Sequence, residues 1–375
     1  MVRLVLMFDS NVMGILFLSN DCVMLLQIMN QRNWSNILVI GGCHFVGVNL
    51  VKELITNHNY VRIHVIDDCK TAKQDALFQM LKSLPMEKAV NVRFHKMSII
   101  DGTLFQELLY KIQNVYEIYY ITPLGIQPLM YTYPIDTFES MIRQTRLVMS
   151  AAYRFNAKIV VCSSPIVYGM MIHENTSEDT FVGINTLDTN SCYVEVMRSI
   201  EAMTCEFVSR YRVRAKIARI YNPYGPYMSL DTNDDWFSQA LSNVFYGSNV
   251  RLSNQLMTSN IVMCYVDDVV EALLRLARSD HVGAFNIGGN ERTTVINVLN
   301  CINEVMRLIG YDNLNAVSWI RDDSDCIEDD ELIYSQVPNI NNAKYNIGFE
   351  PKIGIVCGIT KTLEHFERVL KHKVE

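Results

Sequence analysis

The run Gly41-Gly42-Cys43-His44-Phe45-Val46-Gly47 constrains this chain more than any other feature. It follows a β-branched apolar segment, Asn36 to Ile40, and leads into an amphipathic stretch, Val46 to Thr56, with a second apolar run at Val61 to Ile66. Short apolar runs read as buried strands, and helical periodicity between them reads as a helix. Glycines at such a strand-to-helix corner permit a tight turn, close approach of a ligand's phosphates to backbone N–H groups, and close helix–strand packing. Asp67 stands 26 residues after Gly41 at the end of the second run, where a carboxylate accepts hydrogen bonds from ribose hydroxyls. A purely structural turn would use the same glycines. The strand–turn–helix–strand–aspartate order favours a nucleotide cradle, although His44 occupies a position where a side chain crowds phosphates.

The alternation continues along the chain. Val92 to His95, Glu117 to Ile121, Lys158 to Cys162 and Ala215 to Tyr221 are predicted strands, and Thr137 to Tyr153 and Tyr193 to Tyr211 are predicted helices. This pattern predicts an α/β fold with a parallel sheet covered on both faces. After Pro226 the alternation stops and Gly, Asn and Asp cluster, so a smaller lobe is expected there. The expected division is 34–225 plus a return segment at 262–290 for the nucleotide-binding domain, with 226–261 and 291–375 forming the lobe. The charged stretch Arg321 to Glu331 reads as a solvated loop.

Residues 1–33 read as a poorly ordered extension, with Met29 a candidate start. Their apolar runs are broken by Asp9-Ser10-Asn11 and Ser19-Asn20-Asp21 and fall short of the ~18 residues of a membrane helix. A membrane association is not expected. With a net charge of −7, the chain lacks the basic footprint of a nucleic-acid binder. Ten cysteines without a CxxC spacing suggest buried thiols in a reducing compartment and no metal site. Location in the cytoplasm is expected, or in an endomembrane lumen should residues 1–28 act as an anchor.

A second constellation is Cys162-Ser163-Ser164-Pro165-Ile166-Val167-Tyr168-Gly169, at the end of a predicted strand. One loop later comes Cys192-Tyr193-Val194-Glu195-Val196-Met197-Arg198, opening a predicted helix. In a doubly wound sheet both would reach the crevice at the carboxyl ends of the strands. A serine hydroxyl there can bond a substrate oxygen while a tyrosine exchanges its proton. A strand-end serine that merely satisfies backbone is the plainer alternative.

With these residues in view, the chain resembles the extended short-chain dehydrogenases that act on nucleotide sugars, and among them the UDP-glucuronate decarboxylases. The similarity spans about Asn36 to Arg368. It includes Ile118-Tyr119-Tyr120, Tyr133-Pro134-Ile135, Ser177-Glu178-Asp179, Tyr265-Val266-Asp267-Asp268, Asn286-Ile287-Gly288 and Gly348-Phe349-Glu350-Pro351. Most specific is Ala218-Arg219-Ile220-Tyr221-Asn222-Pro223-Tyr224-Gly225-Pro226-Tyr227-Met228. The resemblance implies a Rossmann-like doubly wound parallel sheet with a smaller C-terminal substrate lobe, bound NAD, a UDP-sugar substrate and a homodimer. In that family NAD oxidises the sugar at C4, the keto-sugar loses carbon dioxide, and the hydride returns.

By resemblance, Tyr193 is the base and Ser164 polarises the C4 oxygen. Gly41, Gly42, His44, Phe45, Val46, Gly47, Asp67, Ser98, Ile121, Thr122, Met197 and Ile220 take cofactor positions. Tyr221, Asn222, Tyr227 and Ile261 take substrate positions. Departures from the family pattern fall on these same places. The family's lysine is Met197, its glutamate Ile166, its middle glycine His44, its helix asparagine Met141 and its adenine-bracketing aspartate Ser98. Tyr227 and Ile261 stand for phosphate-clamping arginines. A tyrosine of pKa ~10 is about one-thousandth ionised at pH 7, and lowering that pKa by ~3 corresponds to ~4 kcal/mol of differential stabilisation. Methionine brings no charge to supply it. The expectation is a family member whose turnover is lost or strongly reduced, against the alternative of an active epimerase or decarboxylase with a rearranged base.

Overall fold

A computed structural model describes residues 4–9, 12–17, 35–57, 61–169, 175–181, 183, 185–187, 191–230, 235–247, 250–310, 316–317, 319–321 and 337–374. Most of the expected Arg321 to Glu331 loop lies outside the described residues. The chain divides into two compact units, one comprising 1–129, 135–162 and 199–215, the other 130–134, 163–198 and 216–375. The sequence had placed 34–225 in one domain, whereas this division groups 163–198 with the C-terminal residues.

The first unit is built on strands β1 (Leu4–Asp9), β2 (Val12–Phe17), β3 (Ser35–Ile40), β4 (Val61–Asp67), β5 (Val92–Lys96), β6 (Val115–Tyr120) and most of β7 (Lys158–Ser163). The run-on apolar character of β3, β6 and β7 follows from burial on both faces, as parallel strands require. In β3, Ile37 to Ile40 are all buried. Parallel pairing sets Ile40 opposite Ile66 of β4 and opposite Tyr120 of β6. Chain order therefore reverses between β3 and β6, the topological switch at which doubly wound sheets bind ligands.

Helix α1 (Phe45–Asn57) lays Val46, Val48, Leu50, Val51, Leu54 and Ile55 into the core. The segment expected to be poorly ordered contains β1 and β2, an antiparallel pair in which β2 meets β5 at Met13 opposite Phe94.

Helix α2 (Pro134–Phe155) buries Met141, Thr145, Met149 and Ala152. These residues are core within this chain. Periodicity identifies an apolar stripe but not what covers it.

In the second unit, β8 (Arg214–Ile220) pairs in parallel with β13 (Gly283–Ile287), so that Arg219 faces Asn286 in register. Within the first unit the parallel strands follow the order β5-β4-β3-β6-β7. Beyond β8 come three small pairs: β9 (Pro223–Tyr224) with β12 (Cys264–Tyr265), β10 (Val250–Leu252) with β15 (Trp319–Arg321), and β11 (Asn260–Val262) with β14 (Arg292–Thr294). Helix α3 (Ser191–Tyr211) begins in this unit. Helices α4 (Trp236–Tyr246), α5 (Val266–Arg278), α6 (Val295–Leu308), α7 (Asn341–Ile347) and α8 (Ile355–Val374) complete it. Asp235 caps α4 by accepting from the N–H groups of Phe237 and Ser238, and Gly247 closes it in the left-handed conformation. Among the described residues no helix is long and apolar enough to cross a membrane.

Candidate functional site

In the first unit the glycine turn joins β3 to α1. Gly41 has φ +78°, and a Cβ there would lie 2.6 Å from the backbone nitrogen of Thr122. Gly47 is equally constrained, because its Cβ would lie 2.7 Å from the Cα of Gly42. The turn is thus pressed against both its own helix and Thr122, two residues beyond the end of β6. Thr122 is half-buried, and Ile121 is buried with its N–H on the carbonyl of Ile40 at 2.8 Å. Ser98 is half-buried two residues after β5.

His44 fills the middle-glycine position with an imidazole 4.8 Å from the ring of Phe45. The N–H of Val46 donates to its Nδ1 at 3.4 Å. That N–H belongs to the first turn of α1, where unsatisfied donors would otherwise face an anion. The side chain keeps some exposed surface, yet enclosure by protein atoms pushes its pKa down to about 4. At neutral pH it therefore brings no positive charge toward a phosphate.

Asp67 ends β4 with both carboxylate oxygens engaged. The N–H of Cys43 donates to Oδ2 at 2.9 Å, and that of Cys69 donates to Oδ1 at 2.8 Å. Burial raises the Asp67 pKa while these two amides pull it back. Both thiols stand beside it, with Cys43, Asp67 and Cys69 placing their ligating atoms within 4.8 Å of one another. The sequence reading expected no metal site. No short cysteine spacing announces this grouping, since its members come from the turn after β3 and the end of β4.

The second unit holds the serine and the tyrosine. The hydroxyl of Ser164 accepts the N–H of Ile166 at 3.3 Å and so caps the 3-10 turn Pro165–Tyr168. This is the plainer role considered for it. A hydroxyl that accepts one bond keeps its own proton to donate. Ile166, in the family's glutamate position, is 0% exposed. Tyr193 is 4% exposed in the first turn of α3, and its ring meets that of Tyr131 edge-on at 6.4 Å. Met197 is 0% exposed one turn later.

The residues expected to meet substrate make contacts within the second unit. Ile220 and Tyr221 are buried, and burial raises the Tyr221 hydroxyl's pKa. Asn222 adopts φ +37° and donates its side-chain amide to the carbonyl of Val262 at 2.8 Å. Tyr227, at φ +68°, sets its ring 4.4 Å from that of His365. Ile261 is 0% exposed and pairs with Thr293.

Sequence reading missed the groups that hold these segments in place. Arg198 Nε donates to the carbonyl of Val167 at 2.8 Å, tying α3 to the serine turn. Tyr168 donates to Asn286 Oδ1 at 2.8 Å and accepts from Arg219 at 2.7 Å, with the guanidinium 4.7 Å from its ring. Glu178 accepts the N–H of Asn286 at 2.7 Å, and Asn286 donates its amide to the carbonyl of Thr176 at 2.9 Å. Tyr168, Glu178, Arg198, Arg219 and Asn286 all lie in runs quoted in the sequence analysis. The signal was present as co-occurring motifs, but their shared role as one buried network needs the fold to be seen.

A doubly wound sheet with a glycine turn at its switch point is the architecture of dinucleotide-binding proteins. This chain belongs to the NAD dependent epimerase/dehydratase family, whose profile matches residues 37–288. It is similar to UDP-glucuronic acid decarboxylase 1 of Arabidopsis thaliana, 27% identical over 349 residues that cover 92% of this chain and 72% of the relative. UDP-glucuronic acid decarboxylase 6 of Arabidopsis thaliana is 27% identical over 335 residues, 88% of each chain. Among solved structures, UDP-glucose 4-epimerase from Thermotoga maritima superposes with a TM-score of 0.71 at 22% identity, covering 89% of this chain and 99% of that one. The dTDP-glucose 4,6-dehydratase from Bacillus anthracis, solved in complex with NAD, gives 0.70 at 20% identity, covering 90% and 98%.

Proposed function

We propose that this chain is a UDP-glucuronate decarboxylase-like protein whose turnover is lost or strongly reduced. One observation carries the reading: Met197, one turn beyond Tyr193, is fully buried. A tyrosine serves as base at neutral pH only when something stabilises its anion, and a buried thioether does not. Ile166 adds to this, because a buried isoleucine exchanges no proton. The retained Tyr193 and Ser164 support the alternative of an active enzyme with a rearranged base. Arg198 is the nearest cation in sequence to Met197, but its guanidinium is committed to Val167 and, at 3.3 Å, to Glu195.

NAD fits this chain only in part. The glycines at 41 and 47 and the carboxylate of Asp67 suit its pyrophosphate turn and adenosine ribose. His44 does not, since its ring stands in the turn and its Nδ1 takes up a helix N–H. No hydride-transfer step follows from these residues, and a nucleotide or UDP-sugar is proposed as a ligand rather than a reactant. Pairing of two copies through the outer sides of α2 and α3 is part of the proposal. Tyr153 and Tyr211, with rings 5.6 Å apart, are more than half exposed there.

Isothermal titration of the purified protein with NAD should show nothing tighter than the high-micromolar range, and UDP-glucuronate should release no carbon dioxide above the blank. NAD retained stoichiometrically through purification, or release at the rates of an active relative, would overturn the reading. Light scattering at tens of micromolar should give the mass of two chains.

A further inference from the structure

We propose that Cys43, Asp67 and Cys69 form a binding site for a zinc-class divalent ion. Parallel pairing of β3 and β4 sets Ile40 opposite Ile66. Cys43 and Cys69 each follow their paired isoleucine by three residues, so both chain reversals deliver a thiol to the same place. The two Sγ atoms are 4.0 Å apart. In a tetrahedral site with Zn–S bonds of ~2.3 Å the S···S edge is about 3.8 Å, so the thiols already stand near coordinating separation. Asp67 lies between them, with all three ligating atoms within 4.8 Å of one another.

The carboxylate is held by the residues it would ligate beside. Its two oxygens accept from the backbone N–H groups of Cys43 and Cys69. Each oxygen keeps a further lone pair for a cation, and hydrogen bonds of this kind orient metal-bound carboxylates. Cys69 is held at φ +60°, a left-handed conformation that costs a non-glycine residue ~1–3 kcal/mol unless its surroundings impose it. The bond from its N–H to Asp67 is one such restraint.

Two thiolates and one carboxylate are a soft, negatively charged donor set that selects zinc-like ions over magnesium or calcium. Three protein ligands leave the fourth position to water or another small ligand. On binding, each thiol releases its proton to solvent. Asp67 is also the carboxylate expected to grip the adenosine ribose, so the ion and a dinucleotide would compete for it. That consequence rests on the family reading; the site itself does not.

The test uses cobalt(II) as a spectroscopic probe on the full chain, freed of metal by chelation under a reductant. One equivalent should give the thiolate-to-cobalt charge-transfer absorption and tetrahedral visible bands, and zinc should bleach both. Cys69→Ser and Cys43→Ser should each lower the charge-transfer absorption to about half or less, since one of two thiolates is lost. Each should also weaken zinc binding by more than the ~10–100-fold that loss of an outer-shell partner costs. Asp67→Asn, which keeps the shape, should weaken zinc binding while leaving both thiols. Circular dichroism of each variant, matched to the parent, would show that lost binding is not lost folding. Absence of the absorption in the folded parent overturns the site. So does absorption that stays undiminished in both cysteine variants, or a Cys43–Cys69 disulfide that persists under the reductant. The readout involves neither dinucleotide nor turnover, so failure here leaves the functional reading intact, and the converse also holds.

Discussion

Met197 lies one helical turn beyond Tyr193 on α3, and both side chains are buried, at 0% and 4% exposure. Side chains four apart on a helix are neighbours, so the tyrosine's environment on this side is a thioether in an apolar core. Restoring a cation here therefore means burying one. Met197→Lys should lower stability by ~3–5 kcal/mol, the cost of a buried charge lacking a partner. Met197→Leu should cost less than ~1.5 kcal/mol, as volume-conserving core exchanges do. Urea denaturation of the two variants checks this. A lysine variant as stable as the leucine variant would mean that an anionic group or water already awaits the ammonium.

His44→Gly should raise affinity for NAD, because it removes the ring from the turn and frees the N–H of Val46. Titration calorimetry of the variant against the parent makes the comparison. His44→Ala keeps a Cβ but also frees the N–H, so it separates the steric effect from the hydrogen-bonding one. Equal, unimproved affinity in both would place the obstacle elsewhere, with Ser98 and Met197 the next positions to change.

How much of this was legible depends on how local each requirement is. Gly41, Gly47 and Asp67 could be read from spacing, because a turn pressed against a helix and a strand-end carboxylate leave fixed marks in sequence. The roles of Asn222 and Ile261 could not. Asn222 reaches Val262 and Ile261 pairs with Thr293 through contacts tens of residues away. His44 could be recognised as an intrusion, but only its surroundings show that it is neutral. Cys43 and Cys69 meet solely through the register of β3 and β4. For Met141, Thr145 and Met149, helical periodicity marks a stripe without telling whether the sheet or a second chain covers it.

Tyr168 binds together motifs that are far apart in sequence. Removing its hydroxyl would leave the buried Asn286 Oδ1 without its donor, while Arg219 would keep the carbonyl of Glu178 at 3.2 Å. Tyr168→Phe should therefore cost about 1–3 kcal/mol for the one buried oxygen left unsatisfied. Ile166→Val, two residues away and also buried, should cost only ~0.5–1.5 kcal/mol. The two denaturation midpoints should separate clearly. Equal midpoints would mean that water replaces the hydroxyl and that the network contributes little to stability.

Acid should destabilise the first unit through a histidine pair on β4 and β5. His64 Nδ1 lies 2.9 Å from His95 Nε2, and His64 Nε2 lies 3.3 Å from Asn36 Oδ1. Burial, then the neighbouring Arg93, pushes the His95 pKa down to about 4. Burial, then His95, Arg62 and Arg93, holds His64 well below its ordinary value. Both rings are neutral in the folded protein at pH 7 and titrate near 6.5 once unfolded. The unfolded chain therefore binds more protons across the intervening window. Stability from this pair is fully present above pH ~6.5 and is lost as pH falls from there toward ~4, where His95 charges in the folded state as well. His44 acts in the same direction, with its pKa also lowered to about 4. Asp67 opposes them at the acid end, because its raised pKa makes protonation less costly when folded. Urea midpoints measured every half unit from pH 7.5 to 4.5 should decline below 6.5. His95→Gln, which removes one titrating ring but keeps a polar partner for His64, should decline less steeply. A midpoint that stays flat across this range in the parent would mean that the pair already carries a proton in the folded state.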